Sequence, residues 1–131
     1  MTRYVDLTET YLIHEKMLAV GGGRAGIRDF SLLHSAVELP KVTFGGKLLY
    51  ETVWKQAASL IHSLIKNHPF NDGNKRTGFF TSLRFLNLNG YEIQCSKKEV
   101  LNSGEGRKLL INHPRILKRE LLPSFLSWHQ L

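Results

Sequence analysis

Two long segments with apolar residues at helical spacing, joined by a short polar stretch, constrain this chain more than any other feature. The first starts at Glu51 and keeps this spacing through Ile65. It should end near Asn67, because Pro69 disfavours helical geometry at the residue before it. The second starts around Asn74 and is apolar on more than one side, which predicts a central buried helix. The chain is therefore expected to fold around a pair of helices.

Weaker signals predict the elements before this pair. A first helix should begin after Asp6 or Thr8 and end at the three glycines 21–23. A short second helix is expected over residues 30–38. β-prone residues on both sides of Gly45-Gly46 predict a hairpin over residues 42–50.

After Gly90, the expected cap of the central helix, Ser96 with Glu99 forms a capping-box pattern that should open further helical pieces. We therefore expect one all-α domain over residues 1–131, a compact helical bundle with one small β-hairpin. The length of 131 residues suffices for a single core.

Composition indicates the expected cellular compartment and the kinds of partner, but it does not identify a function. A single cysteine excludes an internal disulfide, and no apolar stretch resembles a signal peptide or a membrane span, so a cytoplasmic protein with no membrane partner is expected. The net charge of +7 favours an acidic partner, although a solvated basic surface explains it as well. No helix–turn–helix, RNP or zinc-finger signature occurs, so specific nucleic-acid binding is not expected.

The polar stretch from His68 to Thr77 collects the groups that phosphoryl or nucleotidyl transfer needs. His68 brings an imidazole, the side chain most often used to accept a proton from a hydroxyl. Asp72 offers a hard oxygen ligand for Mg²⁺. Gly73 stands where a helix begins, a place where backbone N–H groups attract anions, and Lys75 and Arg76 add positive charge. Taken alone, His68 would be an ordinary histidine at a helix end, but its neighbours favour a site.

This stretch, His-Pro-Phe-Asn-Asp-Gly-Asn-Lys-Arg-Thr, resembles the signature of the Doc (death-on-curing) branch of the Fic/Doc family. The surroundings Gly26-Ile27-Arg28-Asp29 and Leu88-Asn89-Gly90-Tyr91 are also similar to that family. The Arg28-Asp29 pair could either help position the site or cap the second helix, and capping is the simpler explanation.

The resemblance implies a role for each matching residue. His68 would be the general base, with Arg76 also essential for transfer, and Asp72 would hold the metal. The nucleotide phosphates would lie on Gly73, Asn74, Lys75 and Arg76, and Phe70 would point into the core. The hairpin would be a flap that docks the target by strand addition, formed by Thr43, Phe44, Gly45, Gly46 and Lys47.

One departure from the pattern bears on the reaction. AMP-transferring relatives have a glycine where this chain has Lys75 and a second arginine where it has Phe79. In Doc-type members the nucleotide lies reversed, so the implied reaction moves the γ-phosphate of ATP, with Mg²⁺, to a Ser or Thr hydroxyl. AMP transfer is the alternative. A basic ribonuclease toxin is a further alternative, which leaves Asp72-Gly73-Asn74 unexplained.

The family also implies partners. Its inhibitory motif has a Glu followed by Gly or Asn, with a Ser or Thr four residues before that Glu. Here the candidate Glu105-Gly106 has Leu101 at that place, so a separate antitoxin in trans is expected. The target implied by the resemblance is elongation factor Tu, whose phosphorylation halts translation.

Overall fold

The computed structural model describes residues 1–91, which form four helices and one hairpin. The helices are α1 (Leu7–Gly21), α2 (Phe30–Glu38), α3 (Val53–Lys66) and α4 (Asn74–Leu88). The helices expected after Ser96 lie outside the described residues. The predicted helical bundle with one small hairpin is confirmed.

Side-chain caps explain where the first three helices begin. Asp6, Asp29 and Thr52 each accept a hydrogen bond from the backbone N–H three residues later. Helix α3 consequently starts two residues later than its apolar spacing indicated. Between α2 and the hairpin, a short 3-10 turn at Leu39–Lys41 was not predicted; Pro40 ends the α-helix and suits this tighter turn.

The hairpin consists of β1 (Thr43–Phe44) and β2 (Lys47–Leu48), paired antiparallel with Thr43 opposite Leu48. Its turn residues Gly45 and Gly46 both have positive φ, at 61° and 82°, as a two-residue hairpin turn requires.

Helices α3 and α4 form the centre of the described fold, with α1 packed on α4 and α2 packed on α3. They approach closely at Gly78, where a Cβ atom would lie 3.1 Å from Cγ1 of Ile65. Because both helices are central, the loop that joins them is held at both ends by the core. The largest fully buried side chains are Phe70, Phe79, Phe85, Leu33, Leu60, Ile61, Leu64 and Leu86.

None of the helices within residues 1–91 combines the length and the apolar character needed to cross a membrane.

Candidate functional site

The loop between α3 and α4 is anchored by Phe70. This side chain is 1% exposed, and its ring stacks on the buried imidazole of His14 with 3.7 Å between ring centroids. His14 belongs to α1, and its Nε2 lies 2.8 Å from the carbonyl oxygen of Asp72, to which it donates a hydrogen bond. Phe70 thus points into the core, as expected, and His14 of α1 contacts the loop at both Phe70 and Asp72.

Asn74, the first residue of α4, fixes the shape of the same loop with its side chain. Its Oδ1 accepts from the Phe70 N–H at 2.9 Å, while its Nδ2 donates to the Phe70 carbonyl at 3.0 Å. These two bonds determine which way the amide points. The predicted phosphate contact of Asn74 would therefore use its backbone N–H, because the side chain, 7% exposed, is engaged within the loop.

His68 is exposed at the start of the loop and has an unusual backbone conformation. Its φ is +47°, a left-handed geometry that costs a non-glycine residue about 1–2 kcal/mol. Nδ1 of its ring lies 3.4 Å from Nδ2 of Asn74. An amide nitrogen only donates, so Nδ1 accepts with its lone pair and the neutral ring carries its proton on Nε2.

Among the four α-helices of residues 1–91, α4 is the one whose N-terminus has no side-chain cap. Its N-cap is Gly73, in left-handed conformation with φ of 75°. A Cβ atom on Gly73 would lie 3.3 Å from Cδ2 of Leu18 and 3.6 Å from Nη2 of Arg76. The N-terminus of α4 therefore lies beside a guanidinium, a setting that suits an anion.

The carboxylate of Asp72 lies beside the N-terminus of α4. Its carboxylate accepts from the backbone N–H groups of Gly73 at 2.9 Å and of Arg24 at 3.2 Å. These two bonds, with smaller contributions from the Arg76 and Arg24 charges, hold the pKa of Asp72 below its ordinary value of 3.8. It is thus ionised at neutral pH.

The single carboxylate of Asp72 suits a metal ion that takes few ligands from the protein. Residues 1–91 contain no group of three or more His, Cys, Asp or Glu side chains arranged to hold a metal. A single carboxylate oxygen donor fits Mg²⁺ that is bound mainly through nucleotide phosphates and water, because this ion commonly takes only one or two protein carboxylates.

Arg76 is turned toward the end of α1. Its guanidinium donates to the carbonyl oxygens of Met17 at 3.1 Å and Gly22 at 2.9 Å. Both acceptors lie near the C-terminal end of α1, whose partial negative charge attracts cations. Arg76 therefore joins α1 to the start of α4 while standing beside Gly73. Lys75 is exposed on the first turn of α4.

The segment Gly22–Asp29 forms a second wall of the site, of which the sequence indicated only residues 26–29, by their similarity to the family's surroundings. It runs antiparallel to the loop, with a bridge between Ile27 and Phe70 and a bond from the Asn71 N–H to the Gly26 carbonyl at 3.1 Å. A Cβ atom on Gly26 would lie 2.8 Å from Nδ2 of Asn71, and one on Gly23 would lie 2.9 Å from Oδ2 of Asp72. The glycines permit this close contact, which their turn-forming character alone does not indicate.

Arg28 and Asp29 have separate tasks in that wall. Asp29 caps α2, as expected, by accepting from the Leu32 N–H at 3.1 Å. Arg28 instead donates to the carbonyl oxygens of His68 at 2.6 Å and Asn67 at 2.7 Å.

The predicted docking flap is exposed, with 83% of Phe44 accessible to solvent. Its base is tied to the first turn of α3, where the side-chain amide of Gln56 donates to the Tyr50 carbonyl at 3.0 Å. His68 follows the last turn of the same helix, whose 14 residues span about 20 Å. Target docking by Thr43, Phe44, Gly45, Gly46 and Lys47 stays a prediction.

Comparison with known proteins places these features in one family. The model of the Fic/DOC family matches residues 4–86, which include the whole loop and the segment that lines it. The protein named Toxin Doc of Mycolicibacterium smegmatis is 40% identical over 87 residues, covering 63% of this chain and 67% of that protein.

Proposed function

The chain belongs to the Fic/DOC family, and from this membership we propose that it is a Doc-type toxin of a toxin–antitoxin pair that transfers the γ-phosphate of ATP to a protein hydroxyl. The observation that carries the proposal is the junction of α3 and α4. There an exposed His68 and an ionised Asp72 stand beside a helix N-terminus that has no side-chain cap. Such a junction combines a base, a metal ligand and an anion site.

Each residue has one role in the proposed step. The target hydroxyl oxygen attacks the γ-phosphorus and loses its proton to the His68 imidazole. The bond between the γ-phosphorus and the bridging oxygen breaks, and ADP leaves. Backbone N–H groups of the first turn of α4, with the charges of Lys75 and Arg76, hold phosphate oxygens. The Gly73 N–H already donates to Asp72, so Gly73 contributes by letting the phosphates approach closely. Asp72 would hold Mg²⁺, which when bound neutralises phosphate charge.

The orientation of the His68 ring restricts how this side chain can act as the base. Its Nδ1 lone pair faces the Asn74 amide, and the neutral ring carries its proton on Nε2. Taking a proton from a hydroxyl therefore requires the ring to turn away from Asn74 or to exchange its proton between the two nitrogens. Both changes are open to a solvent-exposed imidazole.

The position of Phe79 favours phosphate over AMP transfer. AMP-transferring relatives place their second arginine there, whereas here the side chain is 2% exposed and belongs to the core. No cation can reach the nucleotide from this position. Losing one contact to an ionised phosphate costs about 1.5–3 kcal/mol, enough to favour another triphosphate orientation by roughly ten- to a hundredfold. A Phe79→Arg change would bury an unpaired charge and should unfold the protein.

The test is to incubate the purified chain and Mg²⁺ with bacterial extract and ATP labelled at either the α or the γ position. Label from γ-labelled ATP, and none from α-labelled ATP, is the expected result. His68→Ala should abolish transfer but keep ATP binding, and Asp72→Ala should abolish the Mg²⁺-dependent part. Arg84→Ala is the matched control, because this exposed arginine contacts Glu9 and Asn87 away from the loop.

Label arriving from the α position would establish AMP transfer instead. RNA cleavage without a nucleotide requirement would establish the ribonuclease alternative.

Two partners belong to the same proposal: elongation factor Tu as target and an antitoxin as inhibitor. Purified elongation factor Tu should take up γ-label on a threonine. Expression of the chain should arrest growth, and coexpression of the antitoxin should restore it. Growth arrest that persists in the His68→Ala variant would contradict the catalytic explanation.

A further inference from the structure

Arg28 holds the backbone on which His68 stands. Its Nε donates to the His68 carbonyl at 2.6 Å and one of its terminal nitrogens to the Asn67 carbonyl at 2.7 Å. Asn67 is the C-cap of α3, so both acceptors lie at the negative end of a helix, where a guanidinium is favoured. The planar fork of an arginine reaches two successive carbonyls together, whereas lysine presents a single charged nitrogen.

The conformation of His68 needs such support. A φ of +47° is disfavoured for any residue with a side chain. The following Pro69 adds a further restriction, because the residue before a proline is driven toward extended geometry. Two local preferences thus oppose the observed backbone, and such a conformation persists only where surrounding contacts enforce it.

We propose that Arg28 is a positioning residue, whose guanidinium keeps His68 in the left-handed conformation and thereby places its imidazole within reach of the target hydroxyl. This inference rests on the proposed role of His68 as the base. In this role Arg28 would contact neither the nucleotide nor the target, because its guanidinium is engaged by the His68 and Asn67 carbonyls. It acts through carbonyls on the α3 side of the loop, whereas the phosphate contacts lie on the α4 side.

The local architecture allows the side chain to be tested separately from the segment that carries it. The backbone N–H groups of Arg28 and Asp29 both donate to the Pro69 carbonyl, at 2.7 and 3.0 Å. These bonds and the bridge between Ile27 and Phe70 are made by the main chain. They remain in Arg28→Ala and Arg28→Lys, so the wall should stay in place when the guanidinium is lost.

The first measurement is NMR of the full chain, without any activity. The backbone coupling constant between the amide and α protons of His68, with its Cα and Cβ shifts, should report the left-handed geometry in the unmodified protein. We expect Arg28→Ala to move these values toward the extended region, with Arg28→Lys in between. The matched control is Arg84→Ala, which removes another exposed arginine with two hydrogen-bond partners and should change nothing at His68.

The second measurement is γ-label transfer, compared with ATP binding by calorimetry in the same variants. A small displacement of a reacting group has large kinetic effects, so kcat should fall on the order of ten- to a hundredfold in Arg28→Ala. The Kd for ATP with Mg²⁺ should stay within about twofold, because the anion site is untouched. Arg28→Lys should recover part of the rate.

Two results would overturn the proposal. One is an Arg28→Ala protein whose folded fraction keeps the His68 signals of the unmodified chain. The other is a loss of transfer that follows a weakened affinity for ATP, which would make Arg28 a nucleotide contact. If instead the unmodified chain transferred no label, the NMR series would still decide the positioning role, so this failure is distinguishable from failure of the proposed function.

Discussion

Arg76 joins structure and chemistry in one side chain. Its guanidinium donates to the Met17 and Gly22 carbonyls while standing beside the N-terminus of α4. Hydrogen bonds to a charged donor contribute about 1.5–3 kcal/mol when shielded, and this half-exposed site should give less. We expect Arg76→Ala to lower the free energy of unfolding by about 1–2 kcal/mol and to weaken ATP binding as well. Urea denaturation and calorimetry measure the two effects.

Comparing Arg76→Ala with Arg76→Lys separates the effect on stability from the effect on ATP binding. Arg76→Lys keeps the charge near the phosphate site but loses the fork that reaches both carbonyls, so it should restore ATP binding more than stability. Unchanged unfolding of Arg76→Ala would mean that the bonds to α1 contribute nothing, leaving Arg76 a pure ligand contact.

The backbone of His68 gives a second prediction at the same scale. Glycine adopts a φ of +47° without the steric cost that a Cβ atom brings. We expect both His68→Gly and His68→Ala to lose transfer, with His68→Gly more stable by about 1 kcal/mol. Thermal unfolding of the two variants provides the comparison. Equal stability would show that the left-handed geometry is not maintained in solution.

At the scale of elements, local sequence signals were sufficient to predict all four α-helices and the hairpin, with the start of α3 placed two residues too early. The candidate site could be predicted only in part from the sequence, for a physical reason. The residue types of His68 and Asp72 indicate a proton acceptor and a metal ligand directly from the sequence. Hydrogen bonds between segments that are distant in the sequence leave no local pattern that could be recognised. The wall Gly22–Asp29 and the α1 contacts of Arg76 depend on how helices pack, so they appear only in three dimensions.

The contact between α3 and α4 at Gly78 yields an element-scale prediction. Alanine there gains about 1 kcal/mol of helix propensity, but its Cβ would lie 3.1 Å from Ile65 Cγ1 and 3.4 Å from the Ile61 carbonyl oxygen. We expect Gly78→Ala to change stability by less than about 1 kcal/mol and Gly78→Leu to lose about 3 kcal/mol. Denaturant titration tests both. A Gly78→Leu protein of full stability would contradict the close approach of these helices.

His14 makes the attachment of α1 to the loop depend on pH. Burial holds the pKa of His14 below its ordinary value of 6.5, against the opposing effect of its bond to Asp72. Above pH 6.5 the folded and unfolded chains both keep this ring neutral. Below it the unfolded chain binds the proton first, so stability falls as pH falls toward the lowered pKa.

The measurement is urea denaturation at several pH values between about 8 and 5. Stability of the unmodified chain should decline over this range, and His14→Gln should decline less. The difference between the two isolates His14 from the other histidines. An identical slope in both proteins would mean that His14 protonates as readily when folded as when unfolded.

At the scale of the whole molecule, the site is assembled from parts far apart in the sequence. The end of α1 and the wall Gly22–Asp29 form one half, and the loop with the start of α4 forms the other. Asp72, in the loop, connects the two halves, because its carboxylate accepts from the Arg24 N–H of the wall and its carbonyl accepts from His14 of α1. Separating the halves would therefore release the residue proposed to hold the metal.

This coupling predicts how a nucleotide should stabilise the protein. A ligand that binds only the assembled site reduces the open population by the factor 1 + [L]/Kd, roughly a hundredfold at a hundred times Kd. Hydrogen exchange with ATP and Mg²⁺ should thus slow at residues 68–76 and, to a similar degree, at Arg24, Arg28 and Asp29, whose N–H groups bond to Asp72 and Pro69. Amides of the hairpin 43–48 are the internal control and should not change. Slowing confined to residues 68–76 would show that the wall opens independently of nucleotide binding, because a shared opening must protect both halves together.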